Sequence, residues 1–200
     1  MSPPVMSLSV SVPSLIVMDL DFTLWHRPRF RAGPPFTKID DGLAGVRSAS
    51  GEKLDLYPGA RRALIRCANE NIPVAFASRT HRPAWALEWM RMLRIDSERN
   101  VESVVSPWPV VIRDGSKVTH LREIHHRTDI AFESMLFFDD NLRDVTNVEQ
   151  LGCTTVHCGG GRGITDALFD EGLARWDARS STHEPPAEEE RLPVRGRRRN

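Results

Sequence analysis

The stretch Leu15-Ile16-Val17-Met18-Asp19-Leu20-Asp21-Phe22-Thr23 decides the fold. Four consecutive apolar residues have no polar face, so as a strand they are buried on both sides. That is the situation of a central strand in a parallel sheet with helices on both faces. Directly after it come two carboxylates at i and i+2, in the place where such sheets bind ligands.

The same alternation continues outward. A helix is expected near residues 59–71, with Leu64, Ile65 and Ala68 on one face. Pro73-Val74-Ala75-Phe76-Ala77 reads as a second buried strand, and Pro83 suits the first turn of a helix carrying Trp85, Trp89 and Met92. Residues 103–112 form an apolar run broken by Pro107 and Pro109. Ser116 can cap a helix with Val118, Leu121 and Ile124 on its inner face. Ser134 to Phe138 reads as another buried strand, followed by a helix that Gly152 stops. Cys153 to Val156 is a further strand, and Ile164, Leu168, Phe169, Leu173 and Trp176 mark a last amphipathic helix. Strands alternating with helices imply βαβ units, hence an α/β fold in three layers around a mostly parallel sheet.

The domain is expected over residues 14–176. Residues 1–13 (Ser and Pro) and 177–200 (an acidic run, then Arg195-Gly196-Arg197-Arg198-Arg199) lack the apolar content to fold and read as disordered tails. The 27 basic and 27 acidic residues cancel, which gives no general pull toward nucleic acid or anionic membrane. No apolar run reaches the length of a membrane span, and the first residues do not read as a signal peptide. The odd set Cys67, Cys153 and Cys158 has no zinc spacing and fits a reducing, cytoplasmic setting. The seven histidines lack convergent metal spacing.

The residues just beyond each buried strand point to chemistry. After the first come Asp19 and Asp21; after the second, Ser78-Arg79-Thr80; after Phe138, Asp139-Asp140; and Lys117 opens the helix before that last strand. Gathered carboxylates repel one another unless a cation lies between them, and hard oxygen ligands suit Mg2+. Such an ion offsets the repulsion between an anionic nucleophile and a phosphate, so a carboxylate can attack and form an aspartyl-phosphate. Asp21 is placed to protonate the leaving oxygen and later to take a proton from water. Ser78, nearby backbone N–H groups and Lys117 can hold the phosphoryl oxygens.

These segments resemble a known family. Asp19-Leu20-Asp21-Phe22-Thr23-Leu24 is similar to the first motif of the haloacid dehalogenase superfamily, and Ser78, Lys117 and Asp139-Asp140 to its second, third and fourth. Asp19 to Trp25, Pro34-Pro35-Phe36, Asp41-Gly42, Leu56-Tyr57-Pro58, Ala77 to Thr80, Ser116-Lys117-Thr119-His120 and Phe137 to Asp140 resemble its magnesium-dependent phosphatase 1 branch, from about Leu15 to Trp176. Asn141 departs from it, standing where the branch carries an acid. Residues 96–109 are longer and more polar than in the branch.

The resemblance implies a Rossmann-like core without a large cap domain. It makes Asp19 the nucleophile and Asp21 the acid/base, with Mg2+ on Asp19, the Asp21 carbonyl and Asp140. Asp139 then holds a metal water, although the two acids can exchange roles. Leu20, Ser78, Arg79 and Lys117 would contact phosphate, and Thr23 would orient Asp21. Relatives act on phosphotyrosine in proteins and on phosphorylated sugar adducts of the fructosamine phosphate kind. A monomer is expected, acting on a phosphorylated small molecule or phosphoprotein. A lapsed phosphate-binding regulatory module and a phosphotransferase are the rival readings. The Gly-rich segment 26–56 is expected to be a short flap over the site, with Trp25 either packed beneath it or lining the entrance.

Overall fold

A computed structural model describes residues 12–26 and 33–181. β1 (Leu15–Met18) comes first. Three two-residue strands come next, β2 (Thr37–Lys38), β3 (Val46–Arg47) and β4 (Lys53–Leu54), paired antiparallel in that order. α1 (Pro58–Asn69) leads to β5 (Val74–Ser78). α2 (Pro83–Met92) and the short α3 (Val101–Val105) lead to β6 (Val110–Ile112). Then come α4 (Lys117–Thr128), β7 (Met135–Asp139), α5 (Leu142–Glu149), β8 (Thr154–His157) and α6 (Asp166–Ser181).

The main sheet has the order β6-β5-β1-β7-β8 with every pair parallel. The continuous apolar runs are explained by what lies on each face. Ile16, Met18, Val74, Phe76, Leu136 and Phe138 face one core, with Leu64 and Cys67 of α1, Trp89 of α2, Val101 of α3 and Phe169 of α6. Leu15, Val17, Ala75, Ala77, Met135 and Phe137 face the other, with Leu121 and Ile124 of α4 and Val148 of α5. Period-2 alternation thus splits each strand between two dry layers, and full burial of each large side chain contributes roughly 1.5–3 kcal/mol.

The chain builds outward from β1 through β5 to β6, then returns to β1's other side for β7 and β8. Strand order therefore reverses at β1 and β7, and the crevice beyond their carboxyl ends is the place where open α/β sheets bind ligands.

Three expectations are altered. The broken run 103–112 divides between α3 and the edge strand β6. Asn100 starts that helix: its side chain accepts the Ser103 N–H at 2.8 Å, and the Asn100 N–H donates to Ser103 Oγ at 3.1 Å. At the other end α6 continues past residue 176 to Ser181, because Arg179 reaches back to the carbonyls of Cys153 and Gly152 at 3.3 and 3.2 Å. The rest of that expected tail, 182–200, lies outside the described residues, as do 1–11.

The third concerns the segment expected to cover the site. Residues 33–56 dock on α2 instead: Phe36 packs on Trp85 and Trp89 at 5.7 and 5.4 Å between ring centres, and the Arg94 N–H donates to the Gly42 carbonyl at 3.1 Å. Gly42 fits there only without a Cβ, which would sit 2.1 Å from the Met92 carbonyl oxygen. Residues 27–32 lie outside the described residues. Among the described residues no helix is long and apolar enough to cross a membrane.

Candidate active site

A cavity of about 370 Å³ opens at the switch point, and Asp19, Asp21, Ser78, Arg79, Lys117, Asp139 and Asp140 all line it. Local structure explains why they meet. Asp19 leaves β1 with its N–H donating to the Phe138 carbonyl at 2.9 Å, which ties the first acidic loop to the end of β7. Ser78 ends β5, and its Oγ accepts the Thr80 N–H at 3.2 Å. Ser116 caps α4 by accepting the Thr119 N–H at 3.1 Å, which makes Lys117 the first helical residue. Asn141 caps α5, accepting the N–H groups of Arg143 and Asp144 at 3.0 and 3.4 Å. Two helix N-termini therefore border the cavity, and their free N–H groups favour an anion such as phosphate.

Lys117 is the electrostatic centre. Its side chain is 2% exposed; Nζ donates to an Asp19 oxygen and to the Ala77 carbonyl, and lies 3.1 Å from Asp139 Oδ2. Burial alone would favour the neutral amine, but Asp19 and Asp139 outweigh it and the ammonium stays charged. The carboxyls are pushed the other way. Burial raises Asp19 above the usual carboxylate range, against the pull of Lys117 and of the Leu20 N–H bonded to it. Burial also raises Asp139 to about 6, and raises Asp140 with help from Asp139.

Oxygens of Asp19, Asp139 and Asp140 lie within 4.8 Å of one another, and the one ammonium beside them pairs with Asp19 and Asp139. Two negative charges remain in excess, which is what a divalent cation would balance. An all-oxygen donor set fits Mg2+ and does not favour zinc, whose structural sites use Cys and His. The two acids of the pair are not equivalent. Asp139 Oδ1 accepts the Asn141 N–H at 2.8 Å and Oδ2 faces Lys117, whereas Asp140 is less buried and borders open space on two sides.

A family model described as acid phosphatase matches residues 11–179. The chain belongs to that family. Within it, the chain is 34% identical to human magnesium-dependent phosphatase 1, an alignment covering 88% of this chain and 98% of that one. A haloacid dehalogenase-like hydrolase superfamily protein of Schizosaccharomyces pombe is 29% identical over 73% of this chain and 86% of its own. Among solved structures, CbbY from Rhodobacter sphaeroides in complex with phosphate superposes with a TM-score of 0.53 at 14% identity, over 81% of this chain and 99% of that one. A phosphatase-domain fragment of BF1531 from Bacteroides fragilis complexed with Mg gives 0.54 at 20% identity, over 82% of this chain and 40% of that longer one. These two share the α/β fold of this chain.

The surroundings of the cavity in this acid phosphatase family member hold residues that the sequence did not single out as partners. Arg79, expected on phosphate, is ion-paired with Asp144 of α5, which is buried. Asp144 is 65 residues away, so no local pattern announces the pair. His157 Nε2 lies 2.9 Å from the Asp140 carbonyl oxygen and holds that loop from β8. Thr23, expected to orient Asp21, does not: its Oγ1 is buried without a hydrogen-bond partner, while Ile164 N–H donates to its carbonyl at 3.0 Å. Asp21 Oδ1 instead accepts the Trp25 indole N–H at 3.0 Å. Trp25 is fully buried against Trp89, so it lines no entrance.

None of the described residues of 33–56 lines the cavity; its rim carries Phe22, His81, Asp114 and Asn141. Cys158 borders the adjoining groove, but burial, with the nearby Asp139 and Asp140, pushes its thiol up to about 12. It stays protonated and is a poor nucleophile.

Proposed function

We propose that this acid phosphatase family member is a Mg2+-dependent phosphomonoester hydrolase that works through an aspartyl-phosphate on Asp19. The observation that carries the reading is the Asp19–Lys117–Asp139–Asp140 cluster, two negative charges in excess and open only at Asp140, at the sheet's switch point. Asp19, Asp140 and the Asp21 carbonyl would hold the metal, and Asp139 would hold Lys117 and a metal water. When bound, Mg2+ supplies charge neutralisation that lets an anionic phosphate approach carboxylates.

The chain's own groups do the rest. Lys117 neutralises part of the Asp19 charge while keeping the carboxylate in place, and with Ser78, Arg79 and the Leu20 N–H it receives the phosphoryl oxygens. The Asp19 carboxylate forms a bond to phosphorus as the ester P–O bond breaks, and Asp21 gives its proton to the leaving oxygen. Water then attacks the aspartyl-phosphate, Asp21 takes a proton from it, and the P–O bond to Asp19 breaks to release phosphate.

The cleft has polar groups on its rim and Phe22, 39% exposed, at its mouth. The family resemblance adds the substrate classes, a phosphotyrosine-type ester or a phosphosugar such as a fructosamine phosphate. The human relative's name, magnesium-dependent phosphatase 1, supports the metal and the reaction class.

The test is phosphate release from para-nitrophenyl phosphate with Mg2+, with excess chelator, and in Asp19→Asn. The wild-type protein should release phosphate only with Mg2+, and Asp19→Asn should lose at least about 10³-fold, the scale of losing a nucleophile. Full activity in the variant or in chelator refutes the mechanism. Phosphate recovered on an added alcohol in place of water would establish transfer as the reaction.

A further inference from the structure

Trp25 is the one described side chain that hydrogen-bonds the carboxylate of Asp21 across the acidic loop, with its indole N–H 3.0 Å from Oδ1. The ring cannot wander. It is fully buried, meets Trp89 edge-on at 6.0 Å, and Trp89 is packed in turn by Phe36 and Trp85. Its backbone is pinned as well: the Phe22 N–H donates to the Trp25 carbonyl at 2.6 Å, and Trp25 forms an isolated antiparallel bridge with Leu56. The hydroxyl that lies nearer in sequence, Thr23 Oγ1, has no hydrogen-bond partner.

We propose that Trp25 is a positioning residue for proton transfer by Asp21, and that the 33–56 insert and α2 act through it as a rigid backing. The inference rests on the reading of Asp21 as the acid and base. A carboxylate that accepts an indole N–H on Oδ1 is held in one rotamer, and its other oxygen is left to carry the proton. In the first half-reaction that proton passes from Oδ2 to the leaving oxygen as the ester P–O bond breaks. In the second, Oδ2 takes a proton from the attacking water. A neutral donor orients the carboxylate without adding a further charge to the acidic loop. This also assigns a purpose to residues 33–56, which do not border the cavity: they fix the aromatic stack that fixes Asp21.

The test uses the leaving group as its readout. kcat/KM reports only the steps up to formation of the aspartyl-phosphate, in which a poor leaving group needs the proton and a good one does not. It is measured with Mg2+ for a series running from an alkyl phosphate to 2,4-dinitrophenyl phosphate, in wild type, Asp21→Asn and Trp25→Phe. Asp21→Asn should fall roughly 10²–10⁴-fold on the alkyl phosphate, the usual scale of general acid catalysis. Trp25→Phe should fall roughly 10- to 100-fold there, as for a misplaced catalytic group, and less than about threefold on the dinitrophenyl ester.

Because Phe leaves space in a packed core, the same series is run with β-(3-benzothienyl)alanine at position 25. That side chain keeps the bicyclic shape and replaces N–H by sulfur. It should show the same steep dependence with a melting temperature close to wild type. If Asp21→Asn is steep while both position-25 variants slow all substrates equally, or none, the positioning role is wrong and the acid reading stands. If Asp21→Asn itself shows no leaving-group dependence, the acid reading has failed.

Discussion

Lys117→Met keeps an unbranched buried stem and removes the ammonium that Asp19 and Asp139 share. The side chains of Lys117, Asp19 and Asp139 are only 2%, 8% and 1% exposed. Removing one partner from a buried ion pair costs on the order of 3–5 kcal/mol, because the remaining charge must be neutralised or left unpaired. Here the loss has a distinctive pH dependence. Asp139 is raised from 3.8 to about 6 by burial, so the native state binds its proton more tightly than the unfolded chain does. Stability from this group is therefore greatest below about pH 4 and falls as pH rises through about 6. From pH 5 to pH 7 that amounts to on the order of 1 kcal/mol in the wild-type protein. In Lys117→Met the ammonium that lowers Asp19 and Asp139 is gone, so burial pushes both carboxyls further up and the loss over the same interval is larger. The variant's deficit should thus be larger at pH 7 than at pH 5, by on the order of 1 kcal/mol. Urea unfolding in excess chelator at the two pH values measures both numbers. A deficit under about 1 kcal/mol, or one equal at the two pH values, would mean that charge sharing does not govern this site.

Two other substitutions probe the supports of the site. Asp144→Asn removes the charge that anchors Arg79 and an acid in the first turn of α5. It should raise KM for a phosphomonoester roughly three- to tenfold with a smaller change in kcat, and cost about 0.5–1 kcal/mol; steady-state kinetics with an unchanged KM would remove Arg79 from phosphate binding. Gly163 has φ +58°, and a Cβ there would lie 2.3 Å from Tyr57 Cδ2 and 2.4 Å from the Thr23 carbonyl oxygen. Gly163→Ala should cost about 2–4 kcal/mol and displace the acidic loop, so melting temperature and activity fall together; a variant with wild-type values for both would show that the loop has slack there.

Short-range patterns were enough for the frame of this protein. Leu15 to Met18, Pro73 to Ala77 and Ser134 to Phe138 read as strands buried on both faces because their runs of consecutive apolar residues leave no solvent face. Polar groups at the ends of those runs then marked one edge of the sheet, and the caps at Ser116 and Asn141 are local chemistry of the same kind, the first legible and the second read only as a departure. The ends of the frame were harder. Nothing local distinguishes Asp177 to Ser181 from a solvated tail, since the helix there is held by Arg179 reaching carbonyls of residues 152 and 153.

From sequence alone came the strand order of chemistry: Asp19 and Asp21, then Ser78, then Lys117, then Asp139 and Asp140. Who holds whom was left to the tertiary structure. The family resemblance implied Thr23 as the partner of Asp21, yet the indole of Trp25 bonds it, because the Trp85–Trp89–Phe36 stack sets where that ring lies. Arg79 was read as a phosphate ligand, and only the fold shows that the buried Asp144 anchors it. The 26–56 segment was expected to cover the cavity, and its described part packs behind the acidic loop, since Phe36 gains more by burial against two tryptophans than over a polar cleft. Residue types and their order along the chain specify which reaction is open to this protein; pairings between side chains tens of residues apart depend on packing, and only the folded coordinates decide them.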